Sequence, residues 1–229
     1  MTNSESTGPV PTGRLLDVCV VHTLHPLSRP AVVDSAIDKR PVTGPVEVTA
    51  LGLAGDRSID EKFHGGADQA VYAYDDAEAL RWASELGRPV PAGWFGENLR
   101  VSGVPVTDAV VGSTWAVGTA VLEVTIPRRP CATFARWTEE PRWVKRFTER
   151  GDVGTYLRVV RPGHVGAGDL VEVTGVPDHG VTVRDLFVGS SVAAMDALLD
   201  IEGFAPKVYR EARDMAARAR RRAAPLDPV

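Results

Sequence analysis

The sequence predicts a mainly β protein: a barrel-like domain with short helices, followed by a small segment of three helices. Two observations predict the barrel. Short runs of alternating apolar residues recur at close spacing, and only turn residues and brief helical patterns separate them. This arrangement favours a closed β architecture over a doubly wound sheet. The third observation concerns the helical segment, because after Pro177 the alternation gives way to capped helical patterns.

The strands are predicted from apolar alternation and from the turn residues that bound each run. They occupy residues 15–22, 46–51, 70–74, 99–101, 114–117, 119–126, 156–160 and 170–174. Cys19 lies in the middle of the first run and is expected to be a small core residue. Residues 26–45 contain several prolines and are expected to form a loop, and the glycine-rich stretch 163–169 is expected to be a hairpin loop.

The helices are predicted from apolar spacing and from capping residues. Within the barrel they span 76–86, where Asp75 and Glu78 resemble a capping box and Trp82 is expected in the core, and Pro141 to Arg150. The last three span 182–188, 192–199 and 206 to about 222, and they are too short to be stable without docking. The final helix has a thin apolar stripe that could also support a homodimer: Tyr209, Ala212, Ala216 and Ala219.

The predicted organisation is a flexible leader (1–13), a β-barrel domain (14–177), a three-helix extension (178–222) and a flexible tail (223–229). The leader lacks the pattern of a signal peptide, and no apolar run reaches membrane-spanning length. A net charge of -4 gives no electrostatic case for nucleic acid, and two distant cysteines are too few for a disulfide framework. A cytoplasmic protein without membrane or nucleic-acid partners is therefore expected.

Lysines are rare in this chain. The four lysines are Lys39, Lys62, Lys145 and Lys207, and each is flanked by charged or turn residues. None is therefore expected in a desolvated pocket suited to Schiff-base chemistry.

The segment Ile126-Pro127-Arg128-Arg129-Pro130-Cys131 closes the run at 119–126 and is predicted to be a stiff loop, because proline cannot extend the ladder. Two arginines precede Cys131, and nearby positive charge stabilises the thiolate form that attacks electrophiles or binds soft metals. The alternative is a buried, inert cysteine beside solvated arginines.

Two further segments are candidates for ligand contact. Residues 52–68 combine glycine pairs with Arg57, Lys62 and His64, so their backbone and cations could cradle an anion such as a phosphate. A long surface turn is the alternative. Glu97 and Asn98 follow a glycine and could hydrogen-bond the edge of a heterocycle, or they could simply close a turn.

Three motifs in this order and spacing closely resemble those of MOSC domains, named for the C-terminal domain of molybdenum cofactor sulfurase. The motifs are His64-Gly65-Gly66, Gly96-Glu97-Asn98 and Pro127-Arg128-Arg129-Pro130-Cys131. The helices at 182–222 resemble the three-helix extension of bacterial MOSC proteins implicated in resistance to N-hydroxylated purine bases. The resemblance covers about residues 14–222.

This resemblance implies a β-barrel that holds a molybdopterin-type molybdenum cofactor, with Cys131 as the metal-binding and catalytic cysteine. It places Asn98, with its neighbours Gly96 and Glu97, and the loop from His64 through Gly65 and Gly66 to Asp68 near the pterin and its phosphate. The amidoxime-reducing relatives carry an arginine where this chain has Gly96, so Arg57, Lys62 and Arg128 become the phosphate-binding candidates. His64 could donate the proton, or it could be a structural hydrogen-bond partner.

The predicted function is therefore a molybdenum enzyme that reduces N-hydroxylated compounds, such as hydroxylaminopurines or amidoximes, with electrons from a separate reductase. One alternative is sulfur transfer through a persulfide on Cys131. The pyridoxal-phosphate lyase domain that partners the family namesake in such chemistry does not fit within this length. The other alternative is a carrier that holds molybdopterin for delivery.

Overall fold

The computed structural model describes residues 11–26, 34–57 and 65–223. Most of the predicted leader and tail lie outside these residues, and so does the segment that contains Lys62 and His64. The first strand already begins at Thr12, so residues 12 and 13 belong to the barrel rather than to the leader.

Eleven strands are found in the described residues, and they include all the strands predicted from sequence. They are β1 (Thr12–Pro26), β2 (Asp34–Pro41), β3 (Val46–Thr49), β4 (Gly52–Leu53), β5 (Val71–Asp75), β6 (Leu99–Ser102), β7 (Thr114–Val117), β8 (Ala120–Pro127), β9 (Thr155–Arg161), β10 (Gly163–Val165) and β11 (Leu170–Gly175). The helices are α1 (Asp76–Leu86), α2 (Ala132–Thr138), α3 (Trp143–Arg150), α4 (Val183–Val188), α5 (Val192–Leu199) and α6 (Pro206–Ala223).

Seven strands close into a barrel, which confirms the predicted fold class. Their order is β11-β7-β8-β9-β5-β6-β1, and β1 pairs with β11 to close the ring. The long strand β1 makes this closure possible because its first residues pair with β11, its middle residues with β6 and its last residues with β2. β2 therefore extends the sheet beside the barrel.

The predicted loop at 26–45 is wrong over residues 34–41, because β2 is a strand. Its sequence Asp34–Pro41 shows no apolar alternation, and its pairing with β1 is what orders it. The predicted hairpin loop at 163–169 likewise contains the short strand β10, which pairs with β3. Helix α2 follows Cys131 directly, and it was not among the helices predicted from the sequence.

β5 and β6 run parallel, and the crossover between them is helix α1. The side chain of Asp75 accepts hydrogen bonds from the backbone N–H groups of Ala77 and Glu78, and Gly87 ends the helix in the left-handed conformation. The predicted capping box is incomplete, because the Glu78 carboxylate accepts a 2.7 Å bond from the Thr107 hydroxyl. Trp82 is fully buried, as expected.

The three C-terminal helices are confirmed. Thr182 and Asp185 form a reciprocal capping box at the start of α4. In α6, Ala212, Ala216 and Ala219 are buried within the chain itself, where α6 packs on α4, α5 and β8. The apolar stripe of the last helix is thus used internally. No helix in the described part of the chain has the length and apolarity needed to span a membrane.

Candidate functional site

A cavity of about 360 Å³ lies where β2, the β3–β4 turn and the start of α2 meet. Its volume falls in the range of small-molecule sites in proteins. Five residues singled out from the sequence line it together: Arg57, Gly96, Asn98, Arg128 and Cys131. The fold therefore brings segments that are far apart in the chain to one place.

Cys131 lies at the point where the chain leaves β8 and enters α2. Pro127 ends the strand, and Cys131 is the N-cap of the helix, in extended conformation, with its Sγ accepting a 3.5 Å contact from the backbone N–H of Phe134. The side chain is half-buried, whereas Cys19 is fully buried in the barrel. The two cysteines therefore differ in access, and only Cys131 lines the cavity.

Arg128 places a guanidinium in the wall of the same cavity. Its Cζ lies 5.1 Å from the ring centroid of Tyr72 and 4.5 Å from that of Phe134, so the cation is held between two aromatic rings. Burial alone would lower the pKa of Arg128, but the neighbouring Tyr156, Tyr72 and Cys131 groups raise it. Nε of Arg128 is buried and has no hydrogen-bond partner within the described residues. Such an orphaned donor suits an anionic ligand.

Gly96 borders the guanidinium of Arg128. Its φ is 74°, a conformation that glycine adopts easily, and a Cβ at this position would lie 3.1 Å from Ile37 Cγ1 and 3.5 Å from Arg128 Nη1. The absent side chain thus leaves the space beside Arg128 open. This geometry favours Arg128 among the cations considered for phosphate binding.

Asn98 uses both ends of its amide inside the protein. Its Oδ1 accepts a 3.0 Å bond from the backbone N–H of Tyr72, and its Nδ2 donates to the carbonyl of Cys19 and, at 2.7 Å, to the carboxylate of Asp56. Asp56 also accepts bonds from the Val21 N–H and from Lys39 Nζ. Asn98 therefore braces an Asp56–Lys39 ion pair in the cavity wall.

Glu97 does not reach the cavity. Its carboxylate is fully buried and accepts bonds from the backbone N–H groups of Gly93 and Phe95 and from the guanidinium of Arg100. The structure thus agrees with the alternative in which Glu97 closes a turn.

Gly65, Gly66 and Asp68 do not line the cavity, and Gly65 and Asp68 contact the C-terminal helices instead. The carbonyl of Gly65 accepts a 2.6 Å bond from Lys207 Nζ, and the carboxylate of Asp68 accepts a 2.9 Å bond from the Lys207 backbone N–H. The next residue along the chain, Gln69, does line the cavity. His64 and Lys62, also predicted here, lie outside the described residues.

Comparison with known proteins decides the family. Over 152 residues the chain is 31% identical to the uncharacterized protein YflK of Bacillus subtilis, with 66% of this chain and 69% of that protein covered. Over 155 residues it is 34% identical to the protein YiiM of Escherichia coli, with 66% and 68% covered. The MOSC domain profile matches residues 60–172. This chain belongs to the MOSC domain family.

Other similarities agree with this assignment. A Gibberella moniliformis protein named reductase is 32% identical over 150 residues, which cover 63% of this MOSC chain and 26% of that protein. The crystal structure of YiiM from Geobacillus stearothermophilus has a TM-score of 0.73 at 24% identity, with 90% of this chain and all of that chain covered. YiiM from Escherichia coli gives 0.65 at 24% identity, with 91% and 92% covered. At this identity the structures show a shared fold.

The cavity of this MOSC protein fits the kind of cofactor with which the family is associated. The buried, unpartnered Nε of Arg128 suits an anion, and the thiol of Cys131 in the same cavity suits a soft metal. Within residues 11–26, 34–57 and 65–223, no three His, Cys, Asp or Glu side chains are grouped as a metal site. A metal bound through Cys131 would therefore bring most of its ligands with the cofactor.

Sequence reasoning missed Lys39 and the tyrosines of the site. Lys39 was not expected in a desolvated pocket, yet its side chain is only 12% exposed and lines the cavity beside Asp56. The sequence carried no signal for this, because Lys39 shares a strand face with Ile37 only once β2 is known to be a strand. Tyr72 and Tyr156 were assigned to strands, but both also line the cavity.

Proposed function

We propose that this MOSC protein binds a molybdenum cofactor and reduces N-hydroxylated compounds, such as hydroxylaminopurines or amidoximes, with electrons from a separate reductase. One observation carries the proposal: the thiol of Cys131 and the guanidinium of Arg128, with its unpartnered Nε, line a single cavity of about 360 Å³. The similarity to a fungal protein named reductase supports an oxidoreductase role.

Cys131 would be the protein ligand of the metal. A thiolate is a soft donor, and Pro127 and Pro130 restrict the backbone on both sides of the two arginines, so the sulfur is presented from a stiff support. The bound cofactor would supply the change of oxidation state that removes oxygen from the substrate. The protein would supply position and electrostatics.

Arg128 would hold the anionic part of the cofactor. The rings of Tyr72 and Phe134 flank the guanidinium, so the cation is held in place before a ligand arrives. Arg57, which is exposed at the cavity, and Lys39, which is already paired with Asp56, would add positive charge around it. Charges arranged in advance in this way favour an anion over a neutral molecule of equal size.

The electrons would come from another protein. The whole chain contains two cysteines, and one of them, Cys19, is buried in the barrel, so a four-cysteine iron–sulfur cluster cannot be assembled from it. A small-molecule substrate would reach the metal through the opening of the same cavity. His64, a candidate for the proton donor or a structural hydrogen-bond partner, lies outside the described residues and stays a prediction.

The test is turnover of a simple aromatic amidoxime under anaerobic conditions with a chemical reductant, which replaces the unidentified reductase. Wild-type protein and Cys19→Ala should reduce it, while Cys131→Ser should lose at least about 100-fold in rate because the metal ligand is gone. Turnover that survives Cys131→Ser would overturn the proposal. So would a labile sulfane sulfur on Cys131 without metal, which indicates sulfur transfer, or a pterin-loaded protein without turnover, which indicates a carrier.

A further inference from the structure

Arg128 and Arg129 are adjacent in sequence but point to opposite sides of their loop. Arg128 lies in the cavity wall between Tyr72 and Phe134. Arg129 instead reaches the C-terminal helices. The side chain of Arg129 therefore attaches the loop that ends in Cys131 to the helical extension.

Arg129 makes a dense set of contacts there. Its Nη1 donates a 2.7 Å bond to the carbonyl of Phe187, its Nη2 a 3.3 Å bond to the carbonyl of Leu186, and its Nε a 2.6 Å bond to the carboxylate of Glu211. Its Cζ also lies 4.6 Å from the ring centroid of Phe187. The two carbonyls belong to the last turn of α4, where a cation is favoured, and Glu211 belongs to α6.

Helix α6 also contacts a second segment that borders the cavity, residues 65–69. Lys207, in the first turn of α6, donates to the carbonyl of Gly65 and to the side chain of Gln69, and its backbone N–H binds Asp68. Gln69 lines the cavity. Burial lowers the pKa of Lys207, which is consistent with an enclosed contact rather than a solvated one. Helix α6 thus contacts both the Cys131 loop and the 65–69 segment.

We propose that the helical extension positions the site, and that Arg129 is the positioning residue through which it fixes Cys131. Pro127 and Pro130 remove most of the backbone freedom on either side of the arginines, so a shift of Arg129 must be passed to its neighbours. The rigid fork of a guanidinium can satisfy two carbonyls and a carboxylate at once, whereas an ammonium cannot reproduce that geometry. That Arg129 holds Cys131 in place is independent of the proposed function. Why Cys131 must be held, as a metal ligand, rests on the proposed function.

The test compares Arg129→Lys with Arg220→Lys in the full-length protein. Both variants keep the charge, and Arg220 is a matched control because its guanidinium pairs with Asp196 on the exposed surface of the same extension. Protein from a host that makes no molybdopterin is alkylated with iodoacetamide at about pH 10, above the ordinary pKa of a thiol, so that the labelling rate reports access. Peptide mass spectrometry separates Cys131 from Cys19.

Arg129→Lys should raise the alkylation rate of Cys131 about fivefold, because the loop loses its fork of hydrogen bonds, while Arg220→Lys should leave it unchanged. Glu211→Gln keeps the contacts of Arg129 with the two carbonyls, so it should raise the alkylation rate of Cys131 by a smaller factor. This variant replaces Arg129→Lys in the test if Arg129→Lys does not fold. An unchanged or lower rate in Arg129→Lys, or an equal rise in Arg220→Lys, would overturn the inference.

Molybdenum per chain is measured in parallel on the same variants from a normal host. Metal in the wild type that falls in Arg129→Lys but not in Arg220→Lys supports both proposals. A wild type without metal would count against the proposed function alone, since the alkylation rates would still decide whether Arg129 positions Cys131.

Discussion

The side-chain amide of Asn98 donates a 2.7 Å hydrogen bond to the carboxylate of Asp56, which in turn binds the ammonium of Lys39. These three side chains join the segment after Gly96 to β2 and to the turn after β4. The contact explains how Asn98 can line the cavity while its own polar atoms are already engaged. Asn98 thus shapes the site through its neighbours.

Replacing Asn98 by alanine should therefore destabilise the fold. The buried Tyr72 N–H and the Asp56 carboxylate each lose a partner, so the free energy of unfolding should fall by about 1–3 kcal/mol in urea denaturation. Thr114→Ala, which removes an exposed hydroxyl pair with Thr174, is the control and should cost less than about 0.5 kcal/mol. Equal losses in the two variants would contradict this role for Asn98.

Lys39→Met tests the ion pair in the cavity wall. The side chain of Asp56 is 9% exposed, and without Lys39 its hydrogen-bond partners among the described residues would be Asn98 and Val21, so the free energy of unfolding should fall by about 1–3 kcal/mol. Lys145→Met breaks a pair with Glu149 in which both side chains are over 60% exposed, and it should cost less than about 1 kcal/mol. If the free energy of unfolding fell less in Lys39→Met than in Lys145→Met, the Lys39–Asp56 ion pair would contribute little to stability.

Glu78 should make stability fall as pH rises. Its burial, with added repulsion from Asp152 and Asp75, raises its pKa from 4.5 to about 8 despite the Thr107 hydrogen bond. Between these values the folded chain holds a proton that the unfolded chain has released, so the stabilisation is complete below about pH 4.5 and is lost as pH rises through about 8.

Glu78→Gln removes this titration while keeping an acceptor for Thr107. The difference in unfolding free energy between wild type and variant should shrink or reverse steadily from about pH 5 to pH 8, with a slope of at most about 1.4 kcal/mol per pH unit. The exposed control Glu149→Gln should run parallel to the wild type. A constant offset between wild type and Glu78→Gln over this range would refute the assignment.

Cys19 should resist alkylation in the folded protein. It is fully buried, and burial raises its pKa well above the ordinary thiol value, with Glu97 and Asp17 adding to the effect. Iodoacetamide at neutral pH should label Cys19 only after unfolding, whereas Cys131, at the cavity, is modified in the native state when the cofactor is absent. Native labelling of Cys19 at a rate comparable to that of Cys131 would contradict the described burial.

Most strands and helices of this fold could be predicted because the patterns that indicate them lie within single short segments of the sequence. Alternation revealed strands such as β8, and capping residues revealed helices such as α4. Strand β2 was missed because its order comes from pairing with β1, which is a tertiary effect that its own sequence does not show. Helix α2 was missed because Cys131 is an unusual N-cap residue.

The site could be predicted only in part, because only some of its residues stand in recognisable sequence motifs. Cys131, Arg128 and Asn98 stand in motifs with a recognisable spacing, so their convergence could be anticipated from the resemblance. Lys39 carries no motif, and the opposite directions of Arg128 and Arg129 follow from the packing of α4 and α6, which adjacent positions in a sequence cannot reveal.

Molybdenum and pterin content of the freshly purified protein tests the central claim most directly. Wild type and Cys19→Ala should each contain molybdenum and pterin in similar molar amounts. Cys131→Ser should lose molybdenum, and Arg128→Gln should lose pterin together with the metal, because one removes a metal ligand and the other the buried cation. Molybdenum content that is the same in wild type and Cys131→Ser would contradict the assignment of Cys131 as the ligand.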